Sequence, residues 1–300
     1  MSATDQREET RIATVPSKTR HISNWKRVVR RLLLNRGARV GLVILCVMII
    51  MALFAPLIAP YDPAIQSMDT LLKPPTWKHI MGTDDLGRDV FSRVVFGSRI
   101  SLSIGLISVA LALGFGASIG LISGYRGGRL DWGIMRLVDI VLALPGILLA
   151  LVVIAILGPG ISNVMIALGI ATVPIFIRVV RGSTLAAREQ VYVESALAVG
   201  TTDPVILVKY ILPNVAGPLL VLSTLSVADA LLVASGLSFL GLGAQPPSPE
   251  WGAMLAAGRL HIREAWWVTV FPGVAIALTV LAINLVGDGL RDALDPKSRD

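Results

Sequence analysis

Six apolar runs dominate this chain, at residues 40–58, 100–122, 133–157, 161–180, 217–237 and 267–286. Each is about 20 residues long, the length an α-helix needs to cross roughly 30 Å of hydrocarbon. Hydrophobic residues fill 54% of the 300 positions and charged residues only 16%, and the charges fall between the runs. A soluble domain of this length is thereby excluded. The chain reads as an all-α polytopic membrane protein with six transmembrane helices. An even number of crossings puts both termini on one side.

The formal charge of +7 would by itself admit a nucleic-acid partner, but its distribution argues against one. Lys26, Arg27, Arg30, Arg31, Arg36 and Arg39 precede the first run, and Arg126, Arg129 and Arg136 surround the second connection. Arg178, Arg181, Arg188 and Lys209 flank the fourth connection, and Arg291, Lys297 and Arg299 close the chain. All are cytoplasmic if the N-terminus is, which is the positive-inside pattern. The opposite side has the uncharged turn Gly158-Pro159-Gly160 and a loop with only Arg259 and Arg263. The N-terminal stretch is too long for a typical signal-peptide n-region. It reads as a disordered start followed by an amphipathic helix from about Trp25 to Leu34, lying on membrane lipid at the cytoplasmic face. Cys46 is the only cysteine, so no disulfide and no cysteine-based metal site forms within the chain.

Residues 183–218 are the longest polar-tolerant insert between two apolar runs. Residues 185–199 hold only helix-compatible types, and Gly200, tolerant of φ > 0, stops that helix. Asp203-Pro204 restarts one, with Asp a good N-cap and Pro suited to the first helical position. Pro213 and Pro218 then close a shorter second helix. The small Ser195, Ala196, Ala198 and Gly200 let another protein surface approach, with Glu194 a charged peg beside them.

At these residues the chain resembles a family. Glu194-Ser195-Ala196, Gly200 and Ile211-Leu212-Pro213 are similar to the "EAA" loop of bacterial ABC-importer permeases. Ser195 departs from the pattern by replacing its first Ala, and Ile211 sits directly before Leu212. The strings G-T-D-x-x-G-R-D from Gly82, L-S-F-L-G-L-G-A-Q-P-P from Leu237 and G-D-G-L-R-D-A-L-D-P from Gly287 resemble the C-type subunit of dipeptide, oligopeptide and nickel importers. The resemblance covers nearly everything after residue 25. It implies the type I ABC-importer (MetI-like) permease fold. The implied partners are a homologous second permease, two cytoplasmic ATPase subunits and an extracytoplasmic solute-binding protein, in a bacterial plasma membrane. The implied ATPase-coupling residues are Glu194, Ser195, Ala196, Gly200, Asp203, Leu212 and Pro213. Four segments follow. They are a basic cytoplasmic tail (1–39), a first span with its outer loop (40–98), a core with coupling loop 183–213 (99–288), and a cytoplasmic tail (289–300).

The outer loop from residue 59 to 99 is rich in proline and reads as extended. Its acids do not match an EF-hand. Thr83 or Asp84 is expected to cap a surface helix carrying Val90, Phe91, Val94 and Val95. Trp251, Trp266 and Trp267 fit an interfacial aromatic belt, and a short interfacial helix is expected from Met254 to Leu260.

No phosphate loop occurs, so ATP, and any cofactor role, falls to partner subunits. The three histidines, His21, His79 and His261, lie outside the six runs, so an intramembrane zinc or serine protease lacks its ligands or base. A secondary transporter, the alternative to an importer subunit, would want internal repeats and several mid-membrane ionisable groups. Two intramembrane acids remain. Asp139 is expected to pair with Arg136 on one helix face. Asp229 has no cation near it in sequence, and it would serve the translocation path, a subunit interface or local helix packing. Pro145-Gly146, Pro174 and Pro272-Gly273 would act as hinges or as static kinks.

Overall fold

The computed structural model describes residues 21–294. The expected disordered start before His21, and Lys297 and Arg299, lie outside the described residues. Helix α1 (His21–Leu34) meets α2 (Arg36–Leu53) at Asn35. The Asn35 side chain accepts from the Ala38 N–H at 3.1 Å as an N-cap and donates to Asp292 at 3.3 Å. The first span continues past a kink at Phe54 into α3 (Ala55–Ile58), where Pro56 sits in the first turn. At 37 residues, α4 (Val90–Arg126) is about 55 Å long.

The third apolar run is not one helix. It divides into α5 (Gly128–Leu142) and α6 (Gly146–Leu157), bent by 89°. Pro145 cannot donate to the preceding turn and disfavours a helical residue before it. The polar face of α5 is also held sideways by another helix. Asp139 does not pair with Arg136. It accepts from Arg178 at 2.6 Å, while Arg136 stacks over Trp132. The described residues thus hold five helices long and apolar enough to cross a membrane, or six with the bent pair counted as one span.

Helix α7 (Ile161–Arg188) leads into the hairpin helix α8 (Val191–Ala198). The return leg is one rod, Asp203–Phe239. It comprises α9 (Asp203–Val205), a π-helical turn (Ile206–Ile211) and α10 (Leu212–Phe239). After α11 (Trp251–Gly258) and a 3₁₀ turn (Arg259–His261), α12 (Trp267–Leu294) completes the fold. Residue 99, where the core was expected to begin, therefore falls inside α4. Residues 289–294 of the expected tail form the end of α12.

Helices α4, α7 and α10 form the centre, with α12 and α2 on one flank and α6 on the other. Gly116, Gly120 and Gly124 let α4 close on α7. A Cβ at Gly120 would lie 2.8 Å from the Ile177 carbonyl oxygen, closer than van der Waals contact allows. At one end of the bundle lie α1, the end of α12, the end of α4 and the hairpin. At the other end lie the 59–89 loop and α11.

That outer loop is knit together by buried charge rather than extended. Asp84 accepts from Arg88 Nε at 2.7 Å and lies 3.5 Å from Arg93 Nε. Asp89, not Thr83 or Asp84, caps the helix. It accepts from the Ser92 N–H and hydroxyl, each at 2.7 Å, and from His79 at 2.9 Å. The helix it caps is α4 itself. The aromatic belt also needs correcting. Trp251 is 0% exposed and donates to the Val94 carbonyl at 2.9 Å. Trp267 is buried and donates to the Thr83 carbonyl at 3.0 Å, and only Trp266 is exposed.

Candidate functional site

The hairpin is built by local rules in its first leg. Helix α7 ends at Arg188 and Glu189-Gln190 break the chain, so the single helix expected over residues 185–199 is two. Gly200 adopts φ +78°. The Thr201 N–H donates to the Ala196 carbonyl at 3.0 Å and the Gly200 N–H to the Leu197 carbonyl at 2.9 Å. This 6→1 and 5→2 pair is a Schellman motif, which satisfies carbonyls that a helix end leaves open.

Val193 and Ala196 point into the core and are buried. The rest of α8 faces outward, with Val191 at 75% exposure and Val199 at 81%, and Tyr192 and Leu197 also exposed. Glu194 and Ser195 share that outward face. The Ser195 hydroxyl donates to the Val191 carbonyl at 2.8 Å, so its polarity is satisfied without a partner. The helix therefore presents an apolar surface with one acid. Of the small residues, Ser195 and Ala198 are on that surface, while Ala196 is beneath it.

Asp203 is engaged from another helix. Its backbone starts the return leg, yet its side chain caps nothing. The cap position is Thr202, and Asp203 Oδ1 instead accepts from the Tyr125 hydroxyl at 2.8 Å. The prolines do not end the return leg either. Pro213 sits in the first turn of α10 and Pro218 inside it. A proline ring collides with the carbonyl four residues back in an α-ladder. The wider π turn over Ile206–Ile211 relieves that crowding, and Asn214 Nδ2 donates to the Tyr210 carbonyl at 2.6 Å. Leu212 is half-buried and Pro213 exposed along the same rod.

Asp229 lies roughly 40 Å along the rod from Asp203 at an α-helical rise. The structure does not bring it to the hairpin. It is exposed, with no hydrogen bond or ion pair among the described residues. It lines a groove of about 370 Å³ with Ser226 and Val233 of its own helix, Thr172 of α7, and Gly146 and Ile147 of α6. Asp229 is the only charged residue in that lining.

Sequence reasoning missed a polar cluster under the hairpin. Asp131 of α5 is held by Arg181 of α7, with a second contact at 2.6 Å, and accepts from Ser123 of α4 at 2.6 Å. The Arg188 guanidinium lies 5.9 Å from the Tyr125 ring centroid. These residues stand far apart in sequence, and no local pattern joins them. It also missed Glu250, buried at the N-terminus of α11, which accepts from the Gly252 and Ala253 N–H groups at 2.9 and 2.8 Å. Burial pushes its carboxyl above the usual range, partly opposed by those two backbone donors. An acid just before an apolar helix was the available signal.

The comparisons agree with this architecture. Residues 116–300 match the binding-protein-dependent transport system inner membrane component family, and residues 23–75 match the N-terminal transmembrane domain of oligopeptide transport permease C. The di/tripeptide transport system permease protein DppC of Pseudomonas aeruginosa (strain UCBPP-PA14) is 48% identical over 272 residues, covering 89% of this chain and 90% of that protein. The glutathione transport system permease protein GsiD of Escherichia coli O6:K15:H31 (strain 536 / UPEC) is 47% identical over 274 residues, covering 91% and 90%. A chain from the inward-facing MetNI methionine ABC transporter superposes with a TM-score of 0.56 at 19% identity, covering 68% of this chain and 96% of that one, a likeness of fold. The chain belongs to the binding-protein-dependent transport system inner membrane components and is a multi-pass permease subunit of an ABC importer, not itself catalytic.

Proposed function

We propose that α8 is the docking element for a cytoplasmic ATPase, so that the hairpin and both termini lie on the cytoplasmic side. The observation that carries this reading is the outward face of α8. Val191, Tyr192 and Leu197, with Val199 at the C-cap, are exposed on a helix held from beneath by only two buried side chains. An apolar patch rimmed by polar groups marks a protein contact. Glu194, Ser195 and Gly200 shape that contact, and Asp203, Leu212 and Pro213 fix the return leg. A second permease subunit, two ATPases that bind the ATP, and an extracytoplasmic solute-binding protein complete the importer. By likeness to its relatives, the solute is a di- or oligopeptide or a related small solute such as glutathione, moved by alternating access. Asp229 in its groove faces the translocation path or the partner permease.

The test is co-purification of the ATPases with wild type and with Glu194→Lys. The variant should reach the membrane at normal levels and retain ATPase poorly. Wild type without ATPase would refute the docking reading. In the same complex, Asp229→Leu should lower uptake without loss of assembly, and normal uptake would remove Asp229 from the pathway.

A further inference from the structure

One side chain touches the chain on both sides of α8. Tyr125, at the end of α4, is buried at 8% exposure. Its hydroxyl donates to Asp203 Oδ1 at 2.8 Å, at the start of the return leg. The guanidinium of Arg188, the last residue of α7 and just ahead of α8, lies 5.9 Å from its ring centroid, within cation–π range. The clasp holds the chain on either side of α8, which itself meets the bundle through the buried Val193 and Ala196, apolar contacts that lack the directionality of a hydrogen bond. A hydrogen bond resists sliding as well as separation.

What lies above Tyr125 is stiff. Along Gly116, Gly120 and Gly124, α4 meets α7 at backbone contact. Ser123 and Arg181 both bind Asp131, tying the same two helices to α5. The other end of α4 begins at the Asp89 cap in the outer loop, where Arg93 Nη1 donates to the Pro63 carbonyl at 2.9 Å. A displacement delivered to Tyr125 is therefore delivered to one rigid element that reaches the opposite face.

We propose that Tyr125 is a positioning residue that couples the hairpin to α4, through Asp203 after α8 and Arg188 before it. The inference rests on the reading that an ATPase docks on α8. In that setting ATPase closure moves α8, the clasp makes the return leg and α4 follow together, and the outer loop receives the movement. Without the clasp, α8 still docks, but its movement dissipates in sliding between the hairpin and the bundle.

The test follows propagation and needs no transported solute. The assembled complex is trapped with Mg-ATP and vanadate, and hydrogen exchange is read separately over α8 and over the last turns of α4. In wild type, trapping should change exchange in both. In Tyr125→Phe, which removes one hydroxyl and keeps the ring, the α8 response should persist and the α4 response should fall about five- to tenfold, the scale of one lost hydrogen bond. Asp203→Ala should do the same, and the double variant should be no worse than either single one, because both remove the same contact. An unchanged α4 response in Tyr125→Phe overturns the proposal. So do losses that multiply in the double variant, and ATPases that dissociate from Tyr125→Phe, since the clasp would then serve assembly. A wild-type α8 that does not respond to trapping counts against the docking reading itself.

Discussion

Replacing Gly200 isolates a single physical cost. Its φ of +78° belongs to the left-handed region, where a residue with a Cβ loses about 1–2 kcal/mol. Nothing lies within 4 Å of a Cβ built there, so steric conflict with neighbours adds no cost. The Schellman bonds of Thr201 and Gly200 depend on that φ, and they hold the end of an eight-residue helix. The expected effect of Gly200→Val is a rise of about five- to thirtyfold in the open population of α8, the equivalent of 1–2 kcal/mol. Gly200→Asn introduces a Cβ but tolerates this backbone, and should leave α8 almost unchanged. The reporter is a cysteine at Val193, which is 0% exposed and reacts with a maleimide only when α8 opens, in a Cys46→Ser background. Labelling should accelerate in the Val variant alone. Equal rates in the Val and Asn variants would refute the reasoning, because bulk rather than backbone handedness would then govern the turn.

Two further outcomes test orientation and electrostatics. Thr76 and Thr202 are both exposed and lie at opposite ends of the bundle. In the Cys46→Ser background, a cysteine at Thr76 should react with an impermeant maleimide in intact cells and one at Thr202 should not, and reversed labelling would invert the orientation. The folded pKa of Glu250 stands above its unfolded value of about 4.5, chiefly through burial. Its stabilising contribution is therefore full below the unfolded pKa and is lost as pH rises through the folded pKa. The thermal midpoint of the detergent-solubilised complex should fall as pH rises above about 4.5, and Glu250→Gln should flatten that fall. Glu250→Ala, which strips the cap of α11, should cost about 1 kcal/mol at any pH. An unchanged slope in Glu250→Gln would assign the pH dependence elsewhere.

Five of the spans were legible as single helices because a run of apolar residues satisfies its backbone in lipid as a helix, whereas the third run, bent by 89°, was not. Gly200 was legible because its role depends on its own backbone. What failed were inferences in which a local preference met a distant partner. Asp203 has the propensity of a cap, but Tyr125, 78 positions away, takes its carboxylate. Asp139 had Arg136 within reach on its own helix, and Arg178 of α7 claimed it across 39 positions. Pro213 was read as a stop because proline rules assume an α-ladder, and the π turn removes that assumption. Trp251 looked interfacial by residue type, yet its burial depends on how α11 folds back over α4. The groove around Asp229 needs three helices at once, and no window of sequence contains them.

The sideways attachment of α5 also orders events during synthesis. Asp131 and Asp139 leave the ribosome 50 and 39 residues ahead of Arg181 and Arg178. For that interval the nascent α5 carries two acids, alongside Arg129 and Arg136, with no countercharge from another helix. Ionised groups at bilayer depth are expensive, whereas an amphipathic helix rests comfortably among headgroups. Until those partners exist, α5 rests at lower cost among headgroups than at bilayer depth, whereas α6 carries no charge to oppose its burial in lipid. The contacts that hold α5 at its right-angled bend are completed only by the two arginines of α7.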